Sequence, residues 1–327
     1  MVKVLLIDPA LATMRDRFAE RLSADIEVAV VADFGVEEFR RRAADATVLV
    51  NARKPVDAST LAMAPAARFI QMIGAGFDPI DRAAVEAAGI TVAYNPGVNA
   101  SGAAEHTIML MLALLKRLPS TELATRAGRF APGEIIASGI DDLADATVGL
   151  VGMGHIGQAV AVRLAPFGSR IVYHARRPVA AAVGIARGPM PLPELLATSN
   201  VVSLHVPLTP ETHHLIGERE IASMPRGSYL INAGRGGLVD EAALRAAIVS
   251  GHLAGAGVDV LERETDGVNP FADLPEVIVT PHLGGGSRNS MSGVVERCAA
   301  NIRRFLAGEP LVDVIYDVAV RAGADRA

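Results

Sequence analysis

Three residues in the second half of the sequence have the types needed for acid–base chemistry on an anionic substrate. Arg235 lies in INAGRGGLVDEAAL, Glu264 in GVDVLERET and His282 in VIVTPHLGGG, and each follows a short apolar stretch typical of a strand. A histidine delivers a proton near neutral pH, and a neighbouring carboxylate favours the charged ring and fixes its orientation. An arginine supplies a permanent charge and paired donors for an anion. Taken singly, the three also fit a core or capping histidine, a loop carboxylate and a surface arginine.

A glycine-rich stretch, TVGLVGMGHIGQAVAVRL, predicts a dinucleotide site. It places Gly152, Gly154 and Gly157 in G-x-G-x-x-G spacing between an apolar strand and an amphipathic helix. In that context the first glycine permits a tight turn, the second lets the backbone approach a pyrophosphate, and the third lets the helix pack on the strand. The N–H groups near His155 and Ile156 would face the phosphates. The triplet alone would be a weak signal, since the chain has 31 glycines.

The end of the next strand, RIVYHA, indicates which dinucleotide is bound. An NAD site usually has an acidic residue about 20 residues past the glycines, where it binds the ribose hydroxyls. Here the strand runs into Arg176 and Arg177, with no carboxylate nearby. Because a guanidinium suits a phosphate far better than a neutral hydroxyl, we predict that this pair clamps the 2′-phosphate of NADP(H). Two solvated arginines beside NAD(H) are the alternative.

The strands that must position these residues form two series. The first contains KVLLID, EVAVVA, TVLVNA, RFIQMIG and TVAYN, and the second contains TVGLVGMG, RIVYHA, VVSLHVP, SYLINAG, GAGVDV and VIVTPH. Near-continuous apolar strands separated by helices predict parallel sheets covered on both faces. We expect two doubly wound α/β domains of Rossmann or flavodoxin type: residues 1–99 with 287–327 for the substrate, and 100–286 for the dinucleotide. A ligand cleft is expected between them, at the carboxyl ends of the strands.

The composition argues against several classes of protein. Half of the 327 residues are hydrophobic and a fifth are charged, which is enough for buried cores, and a net charge of -5 gives no sign of nucleic-acid binding. The apolar run at 107–115 is too short to span a membrane, and the start is typical of a strand rather than a signal peptide. The single cysteine, Cys298, is predicted to be a buried small hydrophobe. We therefore expect a cytoplasmic protein without a metal.

Longer motifs resemble a known family. The run HVPLTPETHHLIGEREIASMPRGSYLINAGRGGLVDEAAL, then GAGVDV and TPHLGG, resembles the D-isomer-specific 2-hydroxyacid dehydrogenases, and QMIGAGFDPIDRAAVEAAGITVAYNPGVNASGAAEH extends the resemblance to the first domain. The resemblance implies that Arg235 binds the carboxylate and carbonyl of a 2-oxo acid, that His282 donates the proton and that Glu264 holds the histidine. It also implies cofactor contacts for Val206, Pro207 and Thr212 on the adenosine and phosphate side, and for Ala233, Gly234 and Asp259 near the nicotinamide.

The resemblance extends to substrate contacts, with some departures. It implies backbone contacts to the substrate carboxylate from GAG at 74–76, hence from Ala75 and Gly76, and a pocket wall that includes Asn51 and Arg53. No proline follows Glu264 as it usually does in relatives, which leaves Glu262 as a competing partner for the histidine. The chain has no tryptophan, and Phe130 is the candidate replacement for the aromatic residue that many relatives place beside the cleft.

Together these features indicate NADPH-dependent reduction of small 2-oxo acids, such as glyoxylate or hydroxypyruvate, to D-2-hydroxy acids. The strand end HARRP resembles that of the NADPH-preferring reductases of the family. The alternatives are an NAD-dependent D-lactate or 3-phosphoglycerate-type dehydrogenase, and a dinucleotide-sensing protein without turnover. Because relatives are usually dimers formed through the cofactor domain, the resemblance also implies a homodimer, with residues 117–145 as the contact.

Overall fold

The chain folds into two compact units. The computed structural model describes residues 2–33, 35–137, 139–182 and 184–317. The first unit combines residues 1–99 with 288–327, and the second unit consists of residues 100–287. Each unit contains one six-stranded sheet, which confirms the expected pair of α/β domains.

Strands and helices alternate along both units. The strands are β1 (Val2–Leu6), β2 (Ile26–Val30), β3 (Val48–Asn51), β4 (Phe69–Met72), β5 (Thr91–Ala93), β6 (Thr147–Val151), β7 (Arg170–His174), β8 (Val201–Leu204), β9 (Ser228–Asn232), β10 (Leu253–Val258), β11 (Val277–Val279) and β12 (Val314–Tyr316). The helices are α1 (Arg15–Ala19), α2 (Val36–Ala43), α3 (Ala58–Ala62), α4 (Arg82–Ala87), α5 (Ala100–Leu115), α6 (Leu118–Arg126), α7 (Pro132–Ala137), α8 (His155–Leu164), α9 (Leu192–Thr198), α10 (Glu218–Ser223), α11 (Glu241–Val249) and α12 (Arg288–Ala307).

The sheet of the first unit has the order β12-β5-β4-β3-β1-β2, and all its pairs are parallel except β12 with β5. Successive residues of β1 point to opposite faces, so Leu5 enters one core while Val4 and Leu6 enter the other. The second of these cores is covered by α12, which contains the fully buried Cys298. The predicted burial of that cysteine is thereby confirmed.

The sheet of the second unit has the order β11-β10-β9-β8-β6-β7 and is parallel throughout. Leu150 of β6 lies in a core formed with α5 and α8, whereas Val151 lies in the opposite core with α9, α10 and α11. The apolar run at 107–115 belongs to α5, and none of the described helices is both long and apolar enough to cross a bilayer. Because every strand runs the same way, all the loops at their carboxyl ends lie along one edge of this sheet.

Candidate active site

One side-chain pair on this edge joins His282 to Glu264. Nδ1 of His282 lies 3.0 and 3.1 Å from the two carboxylate oxygens of Glu264. Glu264 begins a short 3-10 turn, Glu264–Asp266, that follows β10. Nε2 of His282 makes no hydrogen bond to any residue that the structure describes, and the side chain is about one third exposed. The ring is thus fixed through one nitrogen while the other stays accessible.

Glu262, the competing partner for the histidine, makes different contacts. One of its carboxylate oxygens lies 3.1 Å from Nε2 of His214 and 3.3 Å from Nε2 of His213. The 3-10 turn after Arg263 carries Glu264 away from this cluster and towards His282. The geometry therefore pairs His282 with Glu264.

A buried carboxylate, Asp259, holds the loop that carries His282. It is almost fully buried directly after β10 and accepts hydrogen bonds from the backbone N–H groups of Leu283 and Gly284, both at 2.8 Å. The hydroxyl of Thr280 donates to it at 2.5 Å, and the His282 N–H donates to its backbone carbonyl at 2.8 Å. These bonds support His282 at φ 57, a left-handed conformation that non-glycine residues adopt only when their surroundings hold them there.

A second histidine completes this network. His106, on α5, is mostly buried, and its Nε2 lies 2.9 Å from the Thr280 hydroxyl and 3.2 Å from the Asp259 carboxylate. Neither His106 nor Thr280 was among the site residues predicted from the sequence. The signal was present, since AEH and TPH both belong to the quoted motifs, but the motifs do not show which residues meet.

Arg235 is anchored to the same edge through backbone contacts. The amide of Asn232 at the end of β9 closes the loop, accepting from Gly234 N–H at 3.2 Å and donating to the Arg235 carbonyl at 2.9 Å. The loop then passes so close to the chain after β10 that a Cβ on Gly236 would lie 2.0 Å from the carbonyl carbon of Leu261. Only glycine fits this contact, which joins the loop of Arg235 to the segment that leads to Glu264.

The glycine-rich turn after β6 has the shape that the sequence predicted. Gly152 has φ 101, and a Cβ there would lie 2.6 Å from the carbonyl oxygen of His205. A Cβ on Gly157 would lie 2.2 Å from the carbonyl oxygen of Gly152, so α8 packs directly on the turn. A Cβ on Gly154 would have no neighbour within 4 Å. The turn is therefore tight where it packs and open where a pyrophosphate would approach.

Two further features lie beside this turn, the start of α8 and the side chain of His205. The N–H groups of His155 and Ile156 belong to the first turn of α8 and have no intrahelical acceptor by position. Nδ1 of His205 is buried without a hydrogen-bond partner in the described chain, and its Nε2 lies 3.0 Å from the Ser203 hydroxyl. Burial lowers the pKa of His205 to about 4, so the ring is neutral near pH 7.

Arg176 and Arg177 follow the end of β7, beside the glycine turn. The Gly152 N–H donates to the carbonyl of His174 at 2.9 Å, which fixes the turn against this strand end. Both arginines are exposed, and neither forms an ion pair or a hydrogen bond within the part of the chain that the structure describes. Their charges are therefore not neutralised by the protein itself.

The other predicted cofactor residues line the loops after β8 and β9. Val206 packs against the glycine turn. A Cβ added to Gly152 would lie 2.9 Å from Cγ1 of Val206. The Thr212 hydroxyl accepts from Thr209 N–H at 2.8 Å and donates to the Pro207 carbonyl at 2.7 Å, which closes that loop. Ala233 and Gly234 are partly exposed between β9 and Arg235. All of these residues share one sheet edge with Gly152 and His282.

In the first unit, the predicted substrate residues differ in availability. Asn51 is fully buried, and its amide bonds both the N–H and the carbonyl of Lys54, so the side chain shapes a loop. Arg53 lies 3.4 Å from the buried carboxylate of Asp8. The backbone N–H groups of Ala75 and Gly76, after β4, donate to no acceptor within the described residues. These two amides are able to bind an anion, whereas the Asn51 side chain is already used.

The chain is similar to known proteins over most of its length. The family model described as D-isomer specific 2-hydroxyacid dehydrogenase, NAD binding domain, matches residues 108–284. A D-3-phosphoglycerate dehydrogenase of Mycobacterium bovis is 37% identical over 269 residues, covering 82% of this chain and 50% of the relative. The chain therefore spans about half the length of that relative.

Two further proteins match over most of their own length. A glyoxylate reductase of Thermococcus litoralis is 36% identical over 283 residues, 84% of each chain. The solved D-lactate dehydrogenase of Aquifex aeolicus, complexed with NAD and lactic acid, superposes with a TM-score of 0.83 at 28% identity, covering 94% of this chain and 96% of that one.

Proposed function

Because the chain belongs to the D-isomer specific 2-hydroxyacid dehydrogenase family, we propose that it reduces small 2-oxo acids to D-2-hydroxy acids with a nicotinamide dinucleotide. One observation carries the proposal: His282 is held through Nδ1 by Glu264 and leaves Nε2 accessible at the edge of the sheet. A proton donor needs this arrangement, because one ring nitrogen must be fixed while the other faces the substrate.

Each residue of the proposed site has a distinct task. A bound reduced nicotinamide would supply the hydride for the ketone carbon. Arg235 would bind the substrate carboxylate and polarise the ketone, and His282 would protonate the oxygen through Nε2. Glu264 would hold the orientation of the imidazole ring through Nδ1 before and after the transfer. In the first unit, Ala75 and Gly76 are the proposed donors to a substrate carboxylate.

We propose NADP(H) rather than NAD(H) as the preferred cofactor. Gly152, Gly154, His155, Ile156 and Gly157 would hold the pyrophosphate, because the turn is open at Gly154 and the helix N–H groups need acceptors. The support for the 2′-phosphate is the pair of exposed guanidinium groups at 176 and 177, which have no carboxylate partner in the described chain. A paired phosphate contact to arginine is stronger than one to a neutral hydroxyl.

The cofactor proposal is tested by Arg176→Asp with Arg177→Asp. We expect affinity for NADPH to fall roughly 10- to 150-fold for each arginine contact that is lost, since a charge-assisted bond contributes about 1.5–3 kcal/mol, while affinity for NADH changes little. Arg219→Asp, an exposed arginine on α10, is the control. Equal losses for both cofactors, measured by fluorescence titration, would refute the clamp.

The catalytic proposal is tested with a panel of glyoxylate, hydroxypyruvate, pyruvate and bulkier oxo acids, with each cofactor in turn. His282→Ala should lose most turnover yet bind NADPH as the wild type does. A variant that reduces glyoxylate at the wild-type rate would show that His282 is not the proton donor. Wild-type protein that binds a dinucleotide but reduces none of the acids would instead favour a sensing protein.

The panel must also contain 3-phosphohydroxypyruvate. The similarity to a D-3-phosphoglycerate dehydrogenase at 37% identity favours a phosphorylated substrate as the second candidate. A glyoxylate reductase is 36% identical, and the match covers 84% of that protein rather than 50%. Catalytic efficiency at least tenfold higher for the phosphorylated acid would select the second candidate.

We further propose a homodimer formed through the second unit. No residue of α6 or α7 is buried, although short helices normally need tertiary packing for stability. Large apolar side chains on and beside these helices are exposed, namely Leu118, Leu123, Phe130, Ile136 and Ile140. A second copy of the chain that covers this segment would account for both features.

A further inference from the structure

Two adjacent histidines and a glutamate, outside the proposed catalytic residues, converge on one point. Nε2 of His214 and Nε2 of His213 lie 3.1 and 3.3 Å from the same carboxylate oxygen of Glu262. The two imidazole rings are stacked, with centroids 4.0 Å apart and planes inclined by 25°. The three side chains form a group whose donor atoms all lie within 4.8 Å of one another.

We propose that His213, His214 and Glu262 form a binding site for a divalent transition-metal ion of the zinc class. Imidazole nitrogen and carboxylate oxygen are ligands that such ions prefer, with bonds of roughly 2.0–2.2 Å. Tetrahedral bonds of that length place the ligand atoms about 3.3–3.6 Å apart, and the separations of 3.3 and 3.1 Å to Glu262 lie at or just below this range. The rings would turn out of their stack so that both lone pairs point at the ion, and water would complete the coordination.

The backbone already fixes the ligands. His214 is held in a left-handed conformation, φ 50, and its N–H donates to the Gly237 carbonyl at 2.8 Å. The Glu262 N–H donates to the Glu241 carboxylate, also at 2.8 Å. The ligands therefore belong to two anchored loops, one after β8 and one after β10. The backbone of these loops would not have to be ordered when an ion binds, which favours affinity.

An ion at this site would join the loop after β8 to the segment that leads to Glu264. Glu262 and Glu264 are two residues apart, and Glu264 holds His282. The ion itself would not touch the proposed catalytic pair. The site therefore goes beyond the proposed reduction, and its occupancy can be measured without turnover.

Titration of the chelator-treated full chain with Co²⁺ tests the proposal, with visible absorption and calorimetry as readouts. We expect one equivalent of Co²⁺ to bind with a ligand-field band that excess Zn²⁺ abolishes. His214→Gln and Glu262→Gln should each weaken binding at least tenfold, since even residues that only support metal ligands change affinity 10–100-fold. All three side chains are at least one third exposed, so the variants should melt like the wild type without metal.

His252→Gln is the matched control, because His252 lies in the same unit and bonds the Ile221 carbonyl instead. Its Co²⁺ affinity should equal that of the wild type. Wild-type protein that binds Co²⁺ no more tightly than Glu262→Gln, or a control that loses as much affinity as His214→Gln, would overturn the proposal. The cluster would then be a hydrogen-bonded group that only links two loops.

Discussion

Replacing Thr280 with valine isolates the network that positions His282. The Thr280 hydroxyl donates to the buried Asp259 carboxylate at 2.5 Å and lies 2.9 Å from Nε2 of His106. Valine keeps the shape but removes a charge-assisted hydrogen bond, which contributes about 1.5–3 kcal/mol. His106 still has the Asp259 carboxylate at 3.2 Å, so no buried donor is left without an acceptor. The predicted loss of unfolding free energy is therefore about 1.5–3 kcal/mol.

Calorimetry and turnover together test this prediction. A unit of about 190 residues loses roughly 2–4 °C in Tm for each kcal/mol, so Thr280→Val should melt about 3–12 °C lower. Thr280→Ser is the matched control: it keeps the hydroxyl and loses one methyl group, which costs under about 0.8 kcal/mol. Turnover should fall in the valine variant, because the Asp259 carboxylate that holds the His282 loop loses a donor, and should persist in the serine variant. A valine variant that melts and turns over like the serine variant would refute the role of this network.

Three further perturbations test other parts of the second unit. Gly236→Ala should lower the free energy of unfolding by about 1–3 kcal/mol and abolish most turnover, because its Cβ would meet the Leu261 backbone at 2.0 Å. Gly237→Ala should lower stability and turnover little, because its Cβ would meet side chains rather than backbone, namely Leu208 at 3.3 Å and His213 at 3.5 Å. Equal melting of the two variants would contradict this reasoning. His205→Gln should flatten the pH dependence of stability: the folded pKa of His205 is about 4, below the unfolded value, so stability is complete above about pH 6.5 and falls as pH drops towards 4. The wild type should therefore lose about 2 kcal/mol more than the variant between pH 7 and pH 5 in urea titrations, and parallel losses would refute the burial of a neutral ring. Phe130→Glu should weaken a homodimer at least tenfold in sedimentation equilibrium, whereas Val249→Glu, at an exposed position of α11, should not. A monomeric wild type would refute the dimer proposal.

Strand pattern predicted most of the fold. Each apolar run that was predicted to be a strand contains one, because a parallel sheet buried on both faces needs near-continuous apolar residues. One strand, β12 (Val314–Tyr316), was not predicted; it is a three-residue edge strand that pairs antiparallel with β5. Its pairing depends on where α12 returns the chain, which the pattern of apolar residues does not show. Sequence pattern could not have specified it.

The residues of the candidate site were predictable where they follow strands, but their partners were not. Arg235, Asp259 and His282 each come just after a strand, so their common edge follows from topology alone. Glu262 and Glu264 are only two residues apart, so sequence distance does not distinguish them. The 3-10 turn that begins at Glu264 directs its side chain to His282, whereas Glu262 contacts His213 and His214. His106 and Thr280 are 174 residues apart in the chain and meet only through tertiary packing.

The position of Asp259 in this network bears on its role. A carboxylate has about four acceptor positions, and the Leu283 N–H, the Gly284 N–H, the Thr280 hydroxyl and His106 already lie within hydrogen-bond distance of it. A donor from a bound nicotinamide would have to share an oxygen with one of these groups. The first task of Asp259 is therefore to hold the His282 loop in its left-handed turn. Any contact to the cofactor would involve the same carboxylate. Substitution of Asp259 should therefore disturb both proton delivery by His282 and cofactor binding.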